Sequence, residues 1–250
     1  PLSSSLTHYC VKPRTGTMAL SVGTSGFSYK EWKGTFYPEK LPNRDLLAFY
    51  GKHLPAVEIN NTFYRLPNRE VVENWAAQVP KEFRFSIKAP RSITHFRRLK
   101  DVHEALDVLL ETTLVLGDRL GAILFQLPPN FRKDIARLVA FLDTLPKDLR
   151  AAFEFRNGTW FDDEVYAALR AHGATLVTVD RNEKDGEILS GGAWGYVRLR
   201  KDSYSDKKIA VWAKKVEGEK WDDAFVFFKH EDSGQGPKMA KKFLQAICSS

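Results

Sequence analysis

The chain has 250 residues, 43% hydrophobic and 28% charged, with a formal net charge of +7 and an isoelectric point near 9.3. This length is enough to bury the core of one large domain, and no run of 18 apolar residues predicts a membrane span. The two cysteines, Cys10 and Cys248, lie near opposite ends of the chain, so we expect a reducing, cytoplasmic location rather than a disulfide framework.

The first 17 residues, PLSSSLTHYCVKPRTGT, show no helical or strand period and lack the apolar segment of a secretory signal. We expect residues 1–17 to be a disordered leader or a cloning remnant. Residues 18–250 are then expected to form one domain.

From residue 18 onward, short apolar runs alternate with helical patterns. Strands are predicted over residues 19–25, 56–63, 83–89, 121–128, 151–156, 175–180, 195–200 and 223–230. Helices are predicted over residues 46–54, 69–79, 101–119, 131–145, 163–173, 209–217 and 236–247. Residues 181–194 have no helical period, so the connection between strands six and seven is expected to be irregular.

Eight strands with helices in most of the gaps predict right-handed crossovers and a parallel sheet. We therefore expect an α/β fold, a single (β/α)8 TIM-type barrel that is somewhat irregular between strands six and seven. The alternative is an open doubly wound sheet. It is disfavoured because Gly23-Thr24-Ser25-Gly26, after strand one, lacks the spacing of a dinucleotide-binding loop.

Polar side chains recur on one parity of the predicted strands. In the fifth strand, Phe153 and Phe155 alternate with Glu154 and Arg156. Strand residues under the helices of a barrel must be apolar, so the polar parity is expected to face the barrel axis. The same argument predicts the following further inward-facing residues: Glu58, Asn60, Arg84, Ser86, Lys88, Gln126, Thr178, Asp180, Tyr196, Arg198 and Arg200.

Barrel enzymes carry their active sites at the carboxyl ends of the strands. There we expect Glu154 or Glu58 to act as acid/base, with Asp180 as a second carboxylate. Lys88 is a further catalytic candidate, as a cation or as an amine nucleophile. Substrate-binding side chains are expected to be Arg156, Arg198 and Arg200 as an anion clamp, with Asn60 and Gln126 orienting hydroxyl groups. The alternative is that the interior charges only neutralise one another.

The loops at the same end add further candidates. His95 and His230 fall on the expected active face, and Tyr29, Trp32 and Trp160 could stack on a base or a sugar. The aromatic residues could instead be hydrophobic lids over the loops. Gly234 and Gly236 precede Pro237 at a predicted helix start, which favours a phosphate site, although a solvated turn would use the same glycines.

Several chemistries lack their sequence signals. The chain has no GxSxG elbow, no P-loop and no HExxH or HxH spacing. No cofactor is predicted, and metal-independent chemistry is expected. One metal ion held by Glu154, Asp180 and His230 is the alternative.

Five segments together resemble the YecE-like family, a barrel family of unknown function. They are GTSGFSYKEWKGTFYP (23–38), VEINNTFYRLP (57–67), FRFSIKAPRSITH (83–95), LGAILFQLPPNF (120–131) and FEFRNGTW (153–160). The resemblance implies a TIM-type barrel and no particular reaction. The chain departs from the family's Tyr-x-Arg-x-His-Gly pattern with Arg200 and Lys201, and from its paired asparagines in residues 227–236. Together these departures remove a histidine and amides and add positive charge.

Three functions follow from these patterns. The preferred one is an enzyme of hydrolase, lyase or isomerase type, using acid/base chemistry on a small anionic substrate. That substrate would be a phosphorylated or carboxylated sugar-like or nucleotide-like compound. The second is a nucleic-acid-binding or processing protein that uses the basic loops 88–100 and 198–208. The third is a non-catalytic binding domain. The small anion is preferred because the charges line a narrow axis that cannot admit a duplex.

Overall fold

A computed structural model describes residues 18–180, 188, 192–229 and 234–248. The strands are β1 (Ala19–Ser25), β2 (Ala56–Ile59), β3 (Arg84–Lys88), β4 (Leu120–Gln126), β5 (Ala151–Glu154), β6 (Thr175–Asp180), β7 (Trp194–Leu199) and β8 (Asp223–Phe228). The α-helices in these ranges are α1 (Leu46–Gly51), α2 (Arg69–Gln78), α3 (His103–Thr113), α4 (Ile135–Leu142), α5 (Asp163–Ala171), α6 (Asp206–Glu217) and α7 (Gln235–Cys248).

The eight strands form one closed parallel barrel in sequence order. Closure occurs between the first and last strands, where Gly23 of β1 lies opposite Ala56 of β2 on one side and Phe227 of β8 on the other. The prediction of a single (β/α)8 TIM-type barrel is therefore confirmed. The connection expected to be irregular, between β6 and β7, falls mostly outside the described residues, as does the leader 1–17.

The predicted elements are all present, and their ends differ by a few residues. Several helices begin where a polar side chain accepts a hydrogen bond from a free backbone N–H: Asn68 from Val71 at α2, Asp134 from Arg137 at α4, and Ser205 from Lys208 at α6. The long helix predicted over 101–119 ends at Thr113, and a tighter 3-10 segment, Leu114–Arg119, follows it. Within that segment Gly117 adopts a positive φ of 53°, which interrupts the helical path before β4.

Apolar side chains occupy two separate regions of the barrel. The larger region lies between the outer face of the sheet and the helices, and includes Val57, Phe85 and Phe153. The smaller region fills the lower barrel interior, with Ala56, Ala122, Leu124, Ala152, Val177, Trp194, Tyr196, Phe225 and Phe227. The charged inward side chains stand above this plug, toward the carboxyl ends of the strands, so the interior is layered from apolar to polar.

The parity prediction holds for β2, β3, β4, β5 and β7 and is wrong for β6. The register sets Val177 opposite Tyr196 and Val179 opposite Arg198, and both valines pack in the barrel interior. Thr178 therefore takes the outer face. The pattern misled because Thr, a good strand former with a methyl group, reads as polar yet packs under helices. Asp180 shares the parity of Thr178 but ends the strand, where it still reaches the mouth.

Candidate functional site

A cavity of about 820 Å³ opens at the carboxyl ends of the strands. Its described lining is Ser25, Tyr29, Asn60, Tyr64, Lys88, Gln126, Arg156, Asp180, Arg198, Arg200, Lys201, Asp202 and Lys229. Strands and loops from nearly the whole barrel thus contribute to one pocket. Its position is the one at which barrels of this type place their active sites.

The lining of this cavity is strongly cationic. Among its described residues, two carboxylates, Asp180 and Asp202, face six basic side chains: Lys88, Arg156, Arg198, Arg200, Lys201 and Lys229. Cations gathered in a concave, partly desolvated site raise the local concentration of anions. The cavity is therefore suited to a small anionic ligand.

The floor of the cavity is built around Arg198 of β7. Its Nη2 donates to Glu58 Oε1 at 2.8 Å and its Nη1 donates to Glu154 Oε2. All three side chains are at least 98% buried. Two carboxylates and one guanidinium leave this trio with a net negative charge, which the cations above it offset.

Glu58 is held by hydroxyl and amide donors as well as by Arg198. Its Oε1 accepts from Ser25 Oγ at 2.7 Å and from Asn60 Nδ2 at 2.9 Å, and its Oε2 accepts from Tyr196 Oη at 2.7 Å. Tyr196 Oη also lies 2.6 Å from Ser86 Oγ. Most of these hydrogen bonds join strands that are not neighbours in the sheet, so they cross the barrel axis and tie the floor into one network.

These contacts favour the ionised form of the Glu58 carboxyl. Burial raises the pKa of the Glu58 carboxyl, but the Arg198 charge and the hydrogen bonds outweigh it, so the pKa lies below its ordinary value. Burial lowers the pKa of Arg198, and Glu58 and Glu154 raise it above its ordinary value. Glu58 and Glu154 do not belong to the described cavity lining. The geometry therefore favours them as supports of Arg198 over their predicted acid/base role.

Arg198 has one hydrogen-bonding group left over. Its Nε is buried and has no hydrogen-bond partner among the described residues. An unsatisfied buried donor is costly, so an acceptor that reached this Nε would gain a hydrogen bond.

Lys88 ends β3 and stands at the rim of this floor. Its Nζ donates to Gln126 Oε1 at 2.9 Å and lies 4.3 Å from the centre of the Phe63 ring. Burial, followed by the charges of Arg198 and Arg200, lowers the pKa of Lys88 to about 8, while Glu58 and Glu154 act in the opposite direction. This amine titrates close to neutral pH, which suits proton transfer.

Asp180, at the end of β6, lines the wall of the cavity opposite Lys88. Its side chain is buried, and Lys201 Nζ lies 3.1 Å from its Oδ1 as an ion pair without hydrogen-bond geometry. The backbone N–H of Lys201 donates to Tyr204 Oη at 3.1 Å. Burial, followed by the nearby Asp180 charge, raises the pKa of Tyr204 above its ordinary value.

The predicted aromatic residues separate into two groups. Tyr29 lines the cavity and donates from its hydroxyl to the Ser25 carbonyl at 2.6 Å. Trp32 and Trp160 are fully buried: Trp32 packs against Phe36 and Tyr37, and Trp160 donates from its indole to the Phe131 carbonyl. Those two indoles support loops and present no face to a ligand, which corrects the sequence interpretation.

His95 follows β3 in a π-helical turn, Ser92–Phe96, a distortion that is common near functional sites. Its ring stands edge-on to Phe63, and its Nδ1 lies 2.9 Å from Thr94 Oγ1. Burial, followed by the charges of Lys88 and Arg156, lowers its pKa, which favours a neutral imidazole. His95 thus sits behind the lining, against the ring that contacts Lys88. His230, the other predicted histidine, lies outside the described residues.

The predicted phosphate loop is only partly described, because residues 230–233 fall outside the described ranges. Gly234 has a φ of +68°, and a Cβ there would approach Thr35 Oγ1 to 2.6 Å. Gly236 is buried in the first turn of α7. Tight packing against residue 35 is sufficient reason for Gly234, and neither glycine belongs to the described cavity lining.

Several residues of the described lining were not predicted as site residues from the sequence. Tyr64, which follows β2, is 71% exposed at the rim, and Lys201 and Asp202 extend the loop after β7. Ser25 could have been found, because it shares the inward parity of Gly23 at the end of β1. Within the described ranges, no three His, Cys, Asp or Glu side chains cluster as metal ligands, and no helix is long and apolar enough to cross a membrane.

Comparison with known proteins places the chain among uncharacterised relatives. The UPF0759 protein YunF of Bacillus subtilis is 24% identical over 256 residues, covering 85% of this chain and 90% of YunF. The UPF0759 protein YecE of Escherichia coli K12 is 34% identical over 140 residues, covering 54% of this chain and 52% of YecE.

Solved structures show the same barrel. A DUF72 family protein from Thermotoga maritima has a TM-score of 0.81 and 27% identity, covering 93% of this chain and all of that one. A second, from Enterococcus faecalis, has a TM-score of 0.74 at 21% identity, covering 92% of this chain and 96% of that one, and shows the fold alone. Residues 21–249 match the family model described as "Protein of unknown function DUF72". The chain therefore belongs to the DUF72 family, with UPF0759 proteins among its relatives, as the YecE-like segments predicted.

Proposed function

We propose that the cavity at the mouth of the barrel is the active site of an enzyme that acts on a small anionic substrate. The substrate would be a phosphorylated or carboxylated sugar-like or nucleotide-like compound. The observation that carries this proposal is the excess of six basic over two acidic side chains in the described cavity lining. The volume of about 820 Å³ suits a compound of that size.

The residues take different roles in this proposal. Arg156 and Arg200 bind the anion from the rim, and Arg198 contributes its free Nε from the floor. Asn60 and Gln126 orient hydroxyl groups. Lys88 and Asp180 are the groups of the lining best placed to exchange protons with the substrate. Glu58 and Glu154 hold Arg198 in position and stabilise its charge.

The experiment is a binding titration of inorganic phosphate, glucose 6-phosphate and uncharged glucose, followed by calorimetry and thermal unfolding. We expect the two anions to bind and raise the melting temperature, and glucose to do neither. Arg156→Ala should weaken anion binding by about 10- to 150-fold, since a charged hydrogen bond contributes about 1.5–3 kcal/mol. Arg170→Ala, on the exposed end of α5, is the matched control and should bind as the wild type does.

A second candidate, binding of single-stranded nucleic acid, is favoured by one surface feature. Arg91 lies 5.6 Å from the ring centre of Tyr64 and 5.2 Å from that of Phe96, and these rings are 71% and 69% exposed. Exposed rings interleaved with cations can stack on bases. Affinity for a short oligonucleotide that falls steeply with salt and is lost in Arg91→Ala, with no binding of phosphate esters, would replace the first proposal by this one. Anion binding without turnover of any substrate would favour a non-catalytic domain.

A further inference from the structure

We propose that Lys88 is a nucleophile that forms an imine with the carbonyl carbon of an anionic substrate, such as a 2-oxo acid or a phosphorylated ketose. This inference rests on the proposed function, because the cations of the same cavity would hold the substrate's anionic group. It narrows the substrate class to compounds that carry both an anion and a carbonyl group.

The backbone position of Lys88 is fixed by contacts on both sides. Its carbonyl accepts a hydrogen bond from Thr62 Oγ1 at 2.7 Å, and the N–H of Ala89 donates to the Leu124 carbonyl at 2.9 Å. The residue therefore holds a defined place at the end of β3. Because the backbone of Lys88 is already fixed, less conformational entropy is lost when its side chain attacks a bound carbonyl.

The amine itself has partners that do not hold its proton strongly. Nζ lies against the face of Phe63 and donates to the neutral amide oxygen of Gln126. Among the described residues, no carboxylate lies within ion-pair distance of Nζ. An amide oxygen and a ring face stabilise an ammonium less than a carboxylate does, so these partners oppose the effect of burial less than a salt bridge would.

The nearby cations also favour the neutral amine form of Lys88. Arg198 and Arg200 on β7 and its following loop disfavour the ammonium form, and the two floor carboxylates that would favour it are engaged by Arg198. Burial, followed by the charges of Lys88 and Arg156, lowers the pKa of the nearby His95, which favours its neutral imidazole. A desolvated lysine next to other cations is the usual setting of an amine nucleophile.

The proposed step balances without an oxidant or reductant. The lone pair of the neutral amine attacks the carbonyl carbon, and the carbonyl oxygen takes up a proton to give a carbinolamine. The nitrogen loses a proton, the hydroxyl leaves as water after protonation, and a protonated imine is left. The net change is ammonium plus carbonyl to iminium plus water. Asp180 and Tyr64, which also line the cavity, are the groups available to transfer these protons.

The experiment traps this imine on the full chain. Protein is incubated with pyruvate or dihydroxyacetone phosphate and sodium cyanoborohydride, which reduces an imine to a stable secondary amine. Intact mass and peptide mapping then locate the adduct. Acetone is the matched uncharged carbonyl, Lys88→Arg and Lys88→Met remove the nucleophile, and Lys81→Arg, an exposed residue before β3, controls for surface labelling.

We expect one adduct per chain, at Lys88, formed at least tenfold faster than at surface lysines because more of this amine is neutral. Its rate should be half-maximal near pH 8. Both Lys88 variants should lose the adduct, and Lys81→Arg should keep it. Acetone should label Lys88 about tenfold more slowly than pyruvate does. In Arg156→Ala, the rate of labelling by pyruvate should fall toward the acetone rate.

The outcomes separate this inference from the proposed function. If phosphate binds but neither carbonyl probe labels Lys88 faster than the surface lysines, the imine is ruled out and the anion site stands. Labelling that persists in Lys88→Arg also overturns the imine. If acetone and pyruvate label Lys88 at equal rates, the anion site is contradicted, while Lys88 still acts as a nucleophile.

Discussion

Individual residues show how a charged interior is tolerated in this barrel. Arg198 connects Glu58 and Glu154 across the axis, and Ser25, Asn60 and Tyr196 satisfy the remaining oxygens of Glu58. Each buried charge depends on the others because water cannot replace a missing partner. Above this network, the described lining of the cavity contains more cationic than acidic side chains.

The first prediction tests this mutual dependence. Arg198→Met should destabilise the protein by about 3–5 kcal/mol, since it leaves two buried carboxylates unpaired. Adding Glu58→Gln and Glu154→Gln to the same chain should recover most of the loss, because the trio in the floor then carries no charge. Urea unfolding at neutral pH measures both, with Arg170→Met as a surface control within about 0.5 kcal/mol of the wild type. A loss below about 1 kcal/mol for Arg198→Met would contradict the network.

The second prediction concerns the pH dependence of stability. The pKa of Lys88 is lowered to about 8 in the folded protein from an ordinary value of 10.5. Between these values the unfolded chain binds a proton that the folded chain does not, so stability contributed by this residue rises with pH. The stability of the wild type relative to Lys88→Met should therefore increase above pH 8, by up to about 1.4 kcal/mol per pH unit. Urea unfolding at a series of pH values measures this, and parallel profiles for the two proteins would refute the lowered pKa.

At the scale of secondary-structure elements, close approach between strands limits which side chains can occupy the barrel wall. A Cβ at Gly23 of β1 would stand 1.8 Å from the carbonyl oxygen of Ala56 and 2.6 Å from its carbon. These atoms belong to the backbone of β2, which is paired with β1 and cannot move aside without breaking that pairing. Glycine at residue 23 is thus a packing requirement of the β1–β2 pair.

The third prediction follows from this contact. Gly23→Ala should destabilise the protein by about 3 kcal/mol or more, because the overlap is with backbone and not with a flexible side chain. Gly158→Ala is the matched control, since nothing lies within 4 Å of its added Cβ, and it should change stability by less than about 0.5 kcal/mol. Thermal and urea unfolding of both variants measure the effect. Equal stability of the two variants would show that β2 shifts freely.

At the scale of the whole molecule, the described pairing that closes the sheet begins at the start of β1. Pairing of β1 with β8 begins at Ala19, whose N–H donates to the Asp222 carbonyl at 2.8 Å, and α7 packs against β1. Among the described residues, the strand pairings of β1 are therefore made from residue 19 onward. A closed barrel has no free sheet edge that an added segment would need to cover.

The fourth prediction is that a chain beginning at Met18 keeps the full stability of the domain. We expect a melting temperature within about 2 °C of that of the whole chain, because the contacts that close the barrel are retained. Binding of inorganic phosphate should also be unchanged. Thermal unfolding followed by circular dichroism measures the first and calorimetry the second. A drop of about 5 °C or more would place residues 1–17 within the folded domain.

The sequence by itself determined the barrel and most of the ring of polar residues at its mouth. Apolar periodicity revealed eight strand–helix units, and the period of two in strands assigned Glu58, Lys88, Glu154 and Arg198 to the axis. It failed at β6 because Thr178 is polar by residue type yet packs on the outer face. The alternation of residue types within one strand indicates which face each side chain takes. It carries no information on which side chains of other strands lie nearby.

Only the tertiary structure decided what each of these side chains does. Glu58 and Arg198 are 140 residues apart in sequence, and their pairing depends on the register of strands across the barrel. That register places Glu58 and Glu154 in the floor of the cavity. The tertiary fold also places Lys88 beside the Gln126 amide and the Phe63 ring. It buries Trp32 and Trp160 under loops. Whether a charge is neutralised or available depends on distances of a few ångströms between distant segments, because electrostatic and hydrogen-bond energies change over that range.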